Sequence, residues 1–309
     1  MNKIIAVAGP TAVGKTKFAI KIAEAFNGEI VSCDSMQLYK FMDIGSAKPT
    51  AEEMAQVKHH LVDIIDPREE FSVAAYQKMA KDAIGEILRR GKTPVISGGT
   101  GLYLNSLLYE MDFSSAPQDM EYRNSLMGIA EEKGSHALHH MLEELDYEAA
   151  SSIHPNNTKK IVRALERLKK GEGKIKQFRD IKQETEDYDV ILLGLTRDRT
   201  ELYDRINKRV DILVQNGLFE EVKALMDMGL TVENISMKGI GYKEIMYYFS
   251  GIYSKAEAID TIKKNTRHYA KKQLTWFRRY DKMNWYNISE FDSDDAAAEV
   301  IKAWIQKSI

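Results

Sequence analysis

Apolar residues are gathered into short continuous runs: IIAVA at 4–8, EIVSC at 29–33, HLVDII at 60–65, TPVIS at 93–97 and VILLGL at 190–195. Between most of these runs the apolar positions recur every three or four residues, as in KTKFAIKIAEAF after the first run and AAYQKMAKDAIGEILRRG before the fourth. Near-continuous apolar strands alternating with amphipathic helices predict an α/β fold, a parallel sheet with helices on both faces. From about Ser114 to Asp187 the alternation stops and the chain becomes polar, charged and helical, before VILLGL resumes the strand pattern. The reading is therefore a core in two parts, 1–113 and 188–309, with a mostly helical insertion domain at 114–187. The second core part is mostly helical: Leu202, Ile206, Val210, Leu213 and Val214 keep close to a helical period, punctuated by Gly217 and Gly229. There is no internal repeat and no low-complexity tract.

The 309 residues, 44% of them hydrophobic, suffice for a real core. A lone cysteine, Cys33, excludes a disulfide framework or a cysteine-based zinc site within the chain. No apolar stretch approaches the roughly 20 residues that span a bilayer, and only MNK precedes the first run. Neither a signal peptide nor a membrane anchor is expected, and a cytoplasmic monomer is.

The net charge of -2 would argue against a polyanionic partner, but its distribution argues for one. Between Asn157 and Lys182 lie Lys159, Lys160, Arg163, Arg167, Lys169, Lys170, Lys174, Lys176, Arg179 and Lys182, against only Glu166, Glu172 and Asp180. A second block, Lys263 to Lys282, carries Lys263, Lys264, Arg267, Lys271, Lys272, Arg278, Arg279 and Lys282 against Asp281, interleaved with Tyr269, Trp276, Phe277 and Tyr280. Segregated charge of this kind is the footprint of a nucleic-acid site, although solvated helix faces would read the same way.

The ends of the strands are where ligands of such sheets bind. After the first run, GPTAVGKT fills the template G-x4-G-K-[ST] with Gly9, Gly14, Lys15 and Thr16, so the core is P-loop NTPase-like. Residues Gly9, Pro10, Thr11, Ala12, Val13 and Gly14 would turn backbone amides onto diphosphate oxygens, Lys15 would neutralise charge, and Thr16 would hold Mg2+. Asp63 or Asp66 in HLVDIID is a weaker candidate for a metal-side carboxylate, since Asp63 interrupts its apolar run. In LYDRINKRVD, Arg205 and Arg209 stand one helical turn apart and either could clamp diphosphate, or else pair with Glu201, Asp204 or Asp211.

After the second run, Asp34, Ser35 and Gln37 bring an acid, a hydroxyl and an amide to the same crevice, where a carboxylate can take a proton from an acceptor nucleophile. An Asx turn is the plainer reading of Asp34. After the fourth run, Thr100 lies among Gly98, Gly99 and Gly101, which offer a hydroxyl and exposed amides or simply a tight turn.

These segments, together with GSAKP (45–49), HHLVDIIDP (59–67), GGTGLY (98–103), HPNNTKKIVRALE (154–166), KGIGYKE (238–244) and NTRHYAKKQLTWFR (265–278), resemble the tRNA dimethylallyltransferases, the bacterial tRNA isopentenyltransferases, over nearly the whole chain and in the same order. The resemblance implies transfer of a dimethylallyl group from dimethylallyl diphosphate to N6 of adenosine 37 in tRNAs that read codons starting with U. It implies catalytic roles for Asp34 and Thr100, and tRNA contacts from Asp34, Ser35, Met36, Gln37, Thr100, Arg123, Lys159, Lys160 and Arg163. Val13 stands where relatives often have Ser, and the zinc module at the end of eukaryotic relatives is missing. Loop and sheet alone would favour a small-molecule kinase, which leaves both basic blocks and the closing motifs unexplained. An adenylate isopentenyltransferase acting on free nucleotide would not need the helical insertion, and a nucleotide-dependent RNA-binding switch would bind tRNA tightly without turnover.

Overall fold

The computed structural model describes residues 2–111, 119–171 and 183–308. They fall into two compact units, Met1–Leu108 with Thr185–Ile309, and Tyr109–Glu184. Along the chain run β1 (Lys3–Ala8), α1 (Lys15–Ala25), β2 (Gly28–Ser32), α2 (Ala51–Gln56), β3 (His59–His60), α3 (Val73–Arg89), β4 (Thr93–Gly98) and α4 (Gly101–Leu108). The smaller unit holds α5 (Met120–Lys133), α6 (Ser135–Leu145), α7 (Tyr147–Ser152) and α8 (Thr158–Lys169). The chain then continues through β5 (Asp189–Thr196), α9 (Arg199–Gln215), α10 (Leu218–Asp227), α11 (Tyr242–Phe249), α12 (Lys255–Phe277), β6 (Asn284–Asn287) and α13 (Asp294–Ser308).

The six strands form one sheet in the order β3-β2-β4-β1-β5-β6, and every pairing is parallel. Ile4 and Ala6 of β1 are as buried as Ile5 and Val7, so both faces of the sheet are covered, which is why the strands read as unbroken apolar runs. On one face Ile5, Val95, Ile191 and Leu193 pack with Phe18 and Ile22 of α1 and with Ile301 and Ile305 of α13. The chain leaves β1 towards β2 and leaves β4 towards β5, on the other side of β1. The loops after β1 and β4 therefore flank the point where the winding reverses, the usual place for a ligand crevice.

Two expectations about strands need correction. HLVDII does not form a strand over 60–65: β3 stops at His60, because Leu61 and Asp63 take left-handed φ of 60° and 57° that an extended ladder excludes. The segment instead bonds back to the turn after β2, Asp63 N donating to Gln37 O and Ile64 N to Leu38 O. Conversely, β6 was not anticipated. Its residues NWYN are all only half-buried at the sheet edge and show no apolar run. The helical pattern from Arg199 breaks into α9 and α10 at Gly217, whose φ is 100°.

Glu29 of β2 is buried and receives three bases. His60 Nε2 lies 2.7 Å from Oε2, Arg90 Nη2 donates to Oε2 at 2.6 Å, and Lys92 Nζ stands 3.0 Å from Oε1. Burial alone would raise its pKa, but the bonds from His60, Lys92 and Arg90 outweigh it and hold the carboxyl at about 2 rather than 4.5. A depressed carboxylate adds stability that is fully present above the unfolded value and is lost as pH falls towards the folded one. The contribution is at most roughly 3 kcal/mol. Urea unfolding followed from neutral pH down through the carboxylate range should show this loss in the parent and a flatter acid limb in Glu29→Gln, which starts from lower stability.

The smaller unit packs Leu126, Leu138, Leu142, Ile161 and Leu165 from α5, α6 and α8 into its own core. Its two ends pair with each other, Tyr109 bridging Glu184 and Glu110 N donating to Gln183 O. In the larger unit, Thr185 N donates to Leu108 O at 2.9 Å. The expected start of the insertion, Ser114, lies outside the described residues, as do Glu172, Lys174, Lys176, Arg179, Asp180 and Lys182 of the first basic block.

Candidate active site

The loop from Gly9 to Thr16 joins β1 to α1 and is shaped by its glycines. Gly14, at the start of α1, has φ 109°, a conformation that side chains resist, and offers no side chain to cap the first-turn amides. Those amides are left to an anion, which the helix N-terminus favours. Val13 is fully buried behind the loop. Lys15 Nζ donates to Pro10 O at 2.8 Å, within the loop that is expected to hold the ligand. Desolvation lowers its pKa to about 8, with Asp34 acting in the opposite sense and Arg209 adding to the fall. Thr16 lines a small cleft with Ser32, Gln37, His59 and Ser97.

The two arginines that sequence alone could not separate do different things. Arg205 Nε donates to Ala12 O at 2.9 Å, so it binds the loop itself. Arg209 is half-buried in the field of Asp34, and desolvation lowers its pKa against the pull of Asp34 and Glu53. Of the acids offered as alternative partners, Glu201 holds Arg197 and Asp211 holds Lys263. Arg209 is thus grouped with Lys15 and Asp34, where a ligand's charge would be neutralised.

The segment after β2 is fastened to the one after β4. Thr100 N donates to Cys33 O at 3.1 Å, and Ser35 N donates to Thr100 Oγ1 at 3.0 Å. Gly98 permits this approach: a Cβ there would sit 2.0 Å from Cys33 O. Burial pushes the Cys33 thiol up to about 12, so it is an inert packing residue. Asp34 Oδ1 accepts from Met36 N at 2.9 Å, so the Asx turn is present, and the same carboxylate acts electrostatically on Lys15 and Arg209. Gln37 accepts from Ser32 Oγ at 2.9 Å and donates to Ala47 O at 3.2 Å. Ser35 and Met36 are half-exposed beside it. Asp63 and Asp66 serve elsewhere, paired with Lys48 and Arg68. Among the described residues no group of three or more His, Cys, Asp or Glu could hold a metal ion.

Three residues of this region were not singled out from sequence. Gln273 of α12, 5% exposed, accepts from Thr11 N at 2.8 Å and donates to Gly99 O at 2.9 Å, tying the loop after β1 to the loop after β4. Tyr269, one turn earlier, lies near Thr100 and Gln273, and desolvation, then Asp34, raises its pKa. Their i, i+4 spacing within a basic block was the available signal, masked by the cations around it. Arg197 follows β5 and touches the phosphate loop at Val13 O, as the strand-end rule would have suggested.

In the smaller unit, Lys159, Lys160 and Arg163 are exposed on the first two turns of α8, opposite the buried Ile161, Val162 and Leu165. Cations at a helix N-terminus oppose the helix dipole, and they leave a basic surface that phosphate would relieve. Arg123 Nη2 donates to Glu166 Oε2 at 2.6 Å, so its guanidinium is engaged within the unit.

The chain is similar in sequence and fold to known proteins. The sequence model of the IPP transferase family matches residues 37–280. A tRNA dimethylallyltransferase of Alkaliphilus oremlandii is 50% identical over 300 residues, 97% of this chain and 96% of its own. The solved full-length tRNA isopentenylpyrophosphate transferase of Bacillus halodurans is 44% identical with a TM-score of 0.76, covering 99% of this chain and 96% of its own. A eukaryotic dimethylallyltransferase captured acting on tRNA is 26% identical with a TM-score of 0.80, over 99% of this chain and 80% of its own. Among the described residues no helix is long and apolar enough to cross a membrane.

Proposed function

The chain belongs to the IPP transferase family, and from that premise we propose that it transfers a dimethylallyl group from dimethylallyl diphosphate to N6 of adenosine 37 in tRNAs reading codons that start with U. It does so as a cytoplasmic monomer. The observation that carries the reading is that the Asp34 carboxylate acts on the cations Lys15 and Arg209 while the next residue, Ser35, is held through its N–H by the Thr100 hydroxyl.

In the proposed reaction the allylic C–O bond breaks and its electron pair leaves with diphosphate, while the N6 lone pair forms the new C–N bond and N6 gives up a proton. The amides of the Gly9–Thr16 loop, Lys15, Arg205 and Arg209 take the negative charge of the leaving group. Asp34 accepts a hydrogen bond from N6 and then its proton. Thr100 fixes the Ser35 backbone, and with Ser35, Met36 and Gln37 it meets the acceptor base. The absence of a carboxylate cluster among the described residues suits a metal that arrives on its substrate, since Mg2+ is commonly held by phosphates and few protein groups. Thr16 and the diphosphate oxygens would hold such an ion, which would add further neutralisation of the leaving charge.

The basic face of α8, with Arg123 nearby in the same unit, grips the tRNA. Charge reversal at Lys159, Lys160 and Arg163 should weaken tRNA binding and flatten its salt dependence, each lost phosphate contact lowering the slope of log K against log salt by about 0.7 to 0.9. Binding titrations at several salt concentrations measure the slope; an unchanged slope returns these residues to a solvated surface.

The function itself is tested by incubating the protein and Mg2+ with bulk tRNA, or with free adenine nucleotides, and either dimethylallyl diphosphate or ATP, followed by mass analysis. One C5 unit gained on adenosine in tRNA supports the proposal. Prenylated free nucleotide, phosphate transfer from ATP, or tight tRNA binding without turnover would each replace it with the corresponding rival.

A further inference from the structure

We propose that Arg197 is a positioning residue of the donor site and that Asp294 of the C-terminal helix α13 belongs to that site through it. The inference rests on reading the Gly9–Thr16 loop as the diphosphate site.

In a trans peptide the C=O and the following N–H point in opposite directions. A group that holds the carbonyl of Ala12 therefore also aims the N–H of Val13, and one that holds the carbonyl of Val13 aims the N–H of Gly14. Arginines hold both carbonyls. Arg205 Nε donates to Ala12 O at 2.9 Å and Arg197 Nε donates to Val13 O at 3.0 Å. Val13 N–H accordingly points across the loop, to Pro10 O at a long 3.4 Å, a contact that an anion's oxygen can replace. A Cβ added at Gly14 would lie 3.9 Å from Nη2 of Arg197 and 3.9 Å from Nη2 of Arg205, so both guanidinium groups reach the loop at Gly14.

Arg197 differs from a phosphate clamp in that each of its three nitrogens already donates to a protein acceptor. It is 8% exposed; Nη1 donates to Glu201 Oε1 at 2.6 Å and Nη2 to Asp294 Oδ1 at 2.5 Å. Glu201 in turn accepts from Ser289 Oγ, and Asp294 from Lys17 Nζ. A planar fork with three acceptors on three elements fixes direction as well as charge. Arg197 thus transmits the position of α9 and α13 to the loop without touching the ligand.

The test uses the full chain and inorganic diphosphate with Mg2+ in isothermal titration, alongside tRNA binding and thermal melting. Arg197→Lys keeps the charge that Glu201 and Asp294 require but not the fork. Asp294→Asn keeps an acceptor for that arm but removes the carboxylate charge that strengthens the bond, and leaves Glu201 in place. Each should weaken diphosphate binding, about tenfold for Arg197→Lys and somewhat less for Asp294→Asn, with tRNA affinity held within about twofold. Steady-state turnover should show a raised KM for the prenyl donor with kcat little changed, which a general loss of stability would not produce. Diphosphate affinity within about twofold of the parent in folded Arg197→Lys overturns the proposal. If that variant does not fold, unchanged affinity in Asp294→Asn overturns it instead. Lys15→Ala is the control for the underlying reading: a parent that does not bind diphosphate, or a Lys15→Ala protein that binds it as well, removes the donor site and this inference with it.

Discussion

Replacing Asp34 by Asn is expected to slow prenyl transfer to tRNA by about 10²- to 10⁴-fold, the usual worth of positioned general acid-base assistance. The adenine N6 amine is a weak nucleophile because its lone pair is delocalised into the ring, so proton removal has to accompany C–N bond formation. The Asn oxygen can still accept from Met36 N, as Oδ1 of Asp34 does at 2.9 Å, so the turn after β2 should survive. What disappears is basicity, together with a negative charge that acts on Lys15 and Arg209. Removing that charge leaves Arg209 less compensated but lets the Lys15 pKa fall further, so diphosphate binding should hold where pH is low enough for Lys15 to keep its charge. Single-turnover prenylation at saturating tRNA is the measurement. A variant within a few-fold of the parent would make Asp34 a turn-former and nothing more.

Lys15→Ala should cost donor turnover a comparable factor, about 10² to 10³, as loss of one preorganised charge stabiliser typically does, while tRNA binding is nearly unaffected. Its pH signature separates it from Asp34. Burial brings the Lys15 pKa down to about 8, so the free protein carries the ammonium below that pH and loses it as pH rises through it. The parent's kcat/KM for the donor should therefore fall on the alkaline side of about 8. Bound diphosphate stabilises the charged form, so kcat should hold to higher pH. Lys15→Ala should lack the alkaline fall in kcat/KM. Equal losses of prenylation and of tRNA binding in this variant would count against its assignment to the donor.

What sequence revealed and what it hid divide by the range of the interactions. The phosphate loop was legible because Gly9, Gly14, Lys15 and Thr16 act through a local backbone shape that a short template captures. Asp34 and Thr100 were legible because strand ends converge in any parallel sheet. Arg205 and Arg209 could not be told apart, since one helical turn separates them and only the packing of α9 shows that Arg205 takes Ala12 O while Arg209 lies beside Lys15. Gln273 and Arg197 were hidden for the same reason: their bonds span 262 and 184 residues of sequence, to Thr11 and Val13. The shortness of β3 was hidden differently. Left-handed backbone at Leu61 and Asp63 is imposed by bonds to Gln37 and Leu38, not by any glycine a reader could have marked.

The hydrogen bond from Thr185 N to Leu108 O has a consequence for how such a molecule can change over time. The chain leaves the sheet-bearing unit and returns to it at neighbouring points, and the departing and arriving segments are already paired at Tyr109 and Glu184. Lengthening, shortening or exchanging everything between them leaves every strand partner and both loops around the crevice where they are, and closing the gap needs only a short turn. The helical segment is a cassette set into an otherwise continuous frame. A lineage could exchange this segment by recombination at this one seam without disturbing the sheet or the loops at its strand ends.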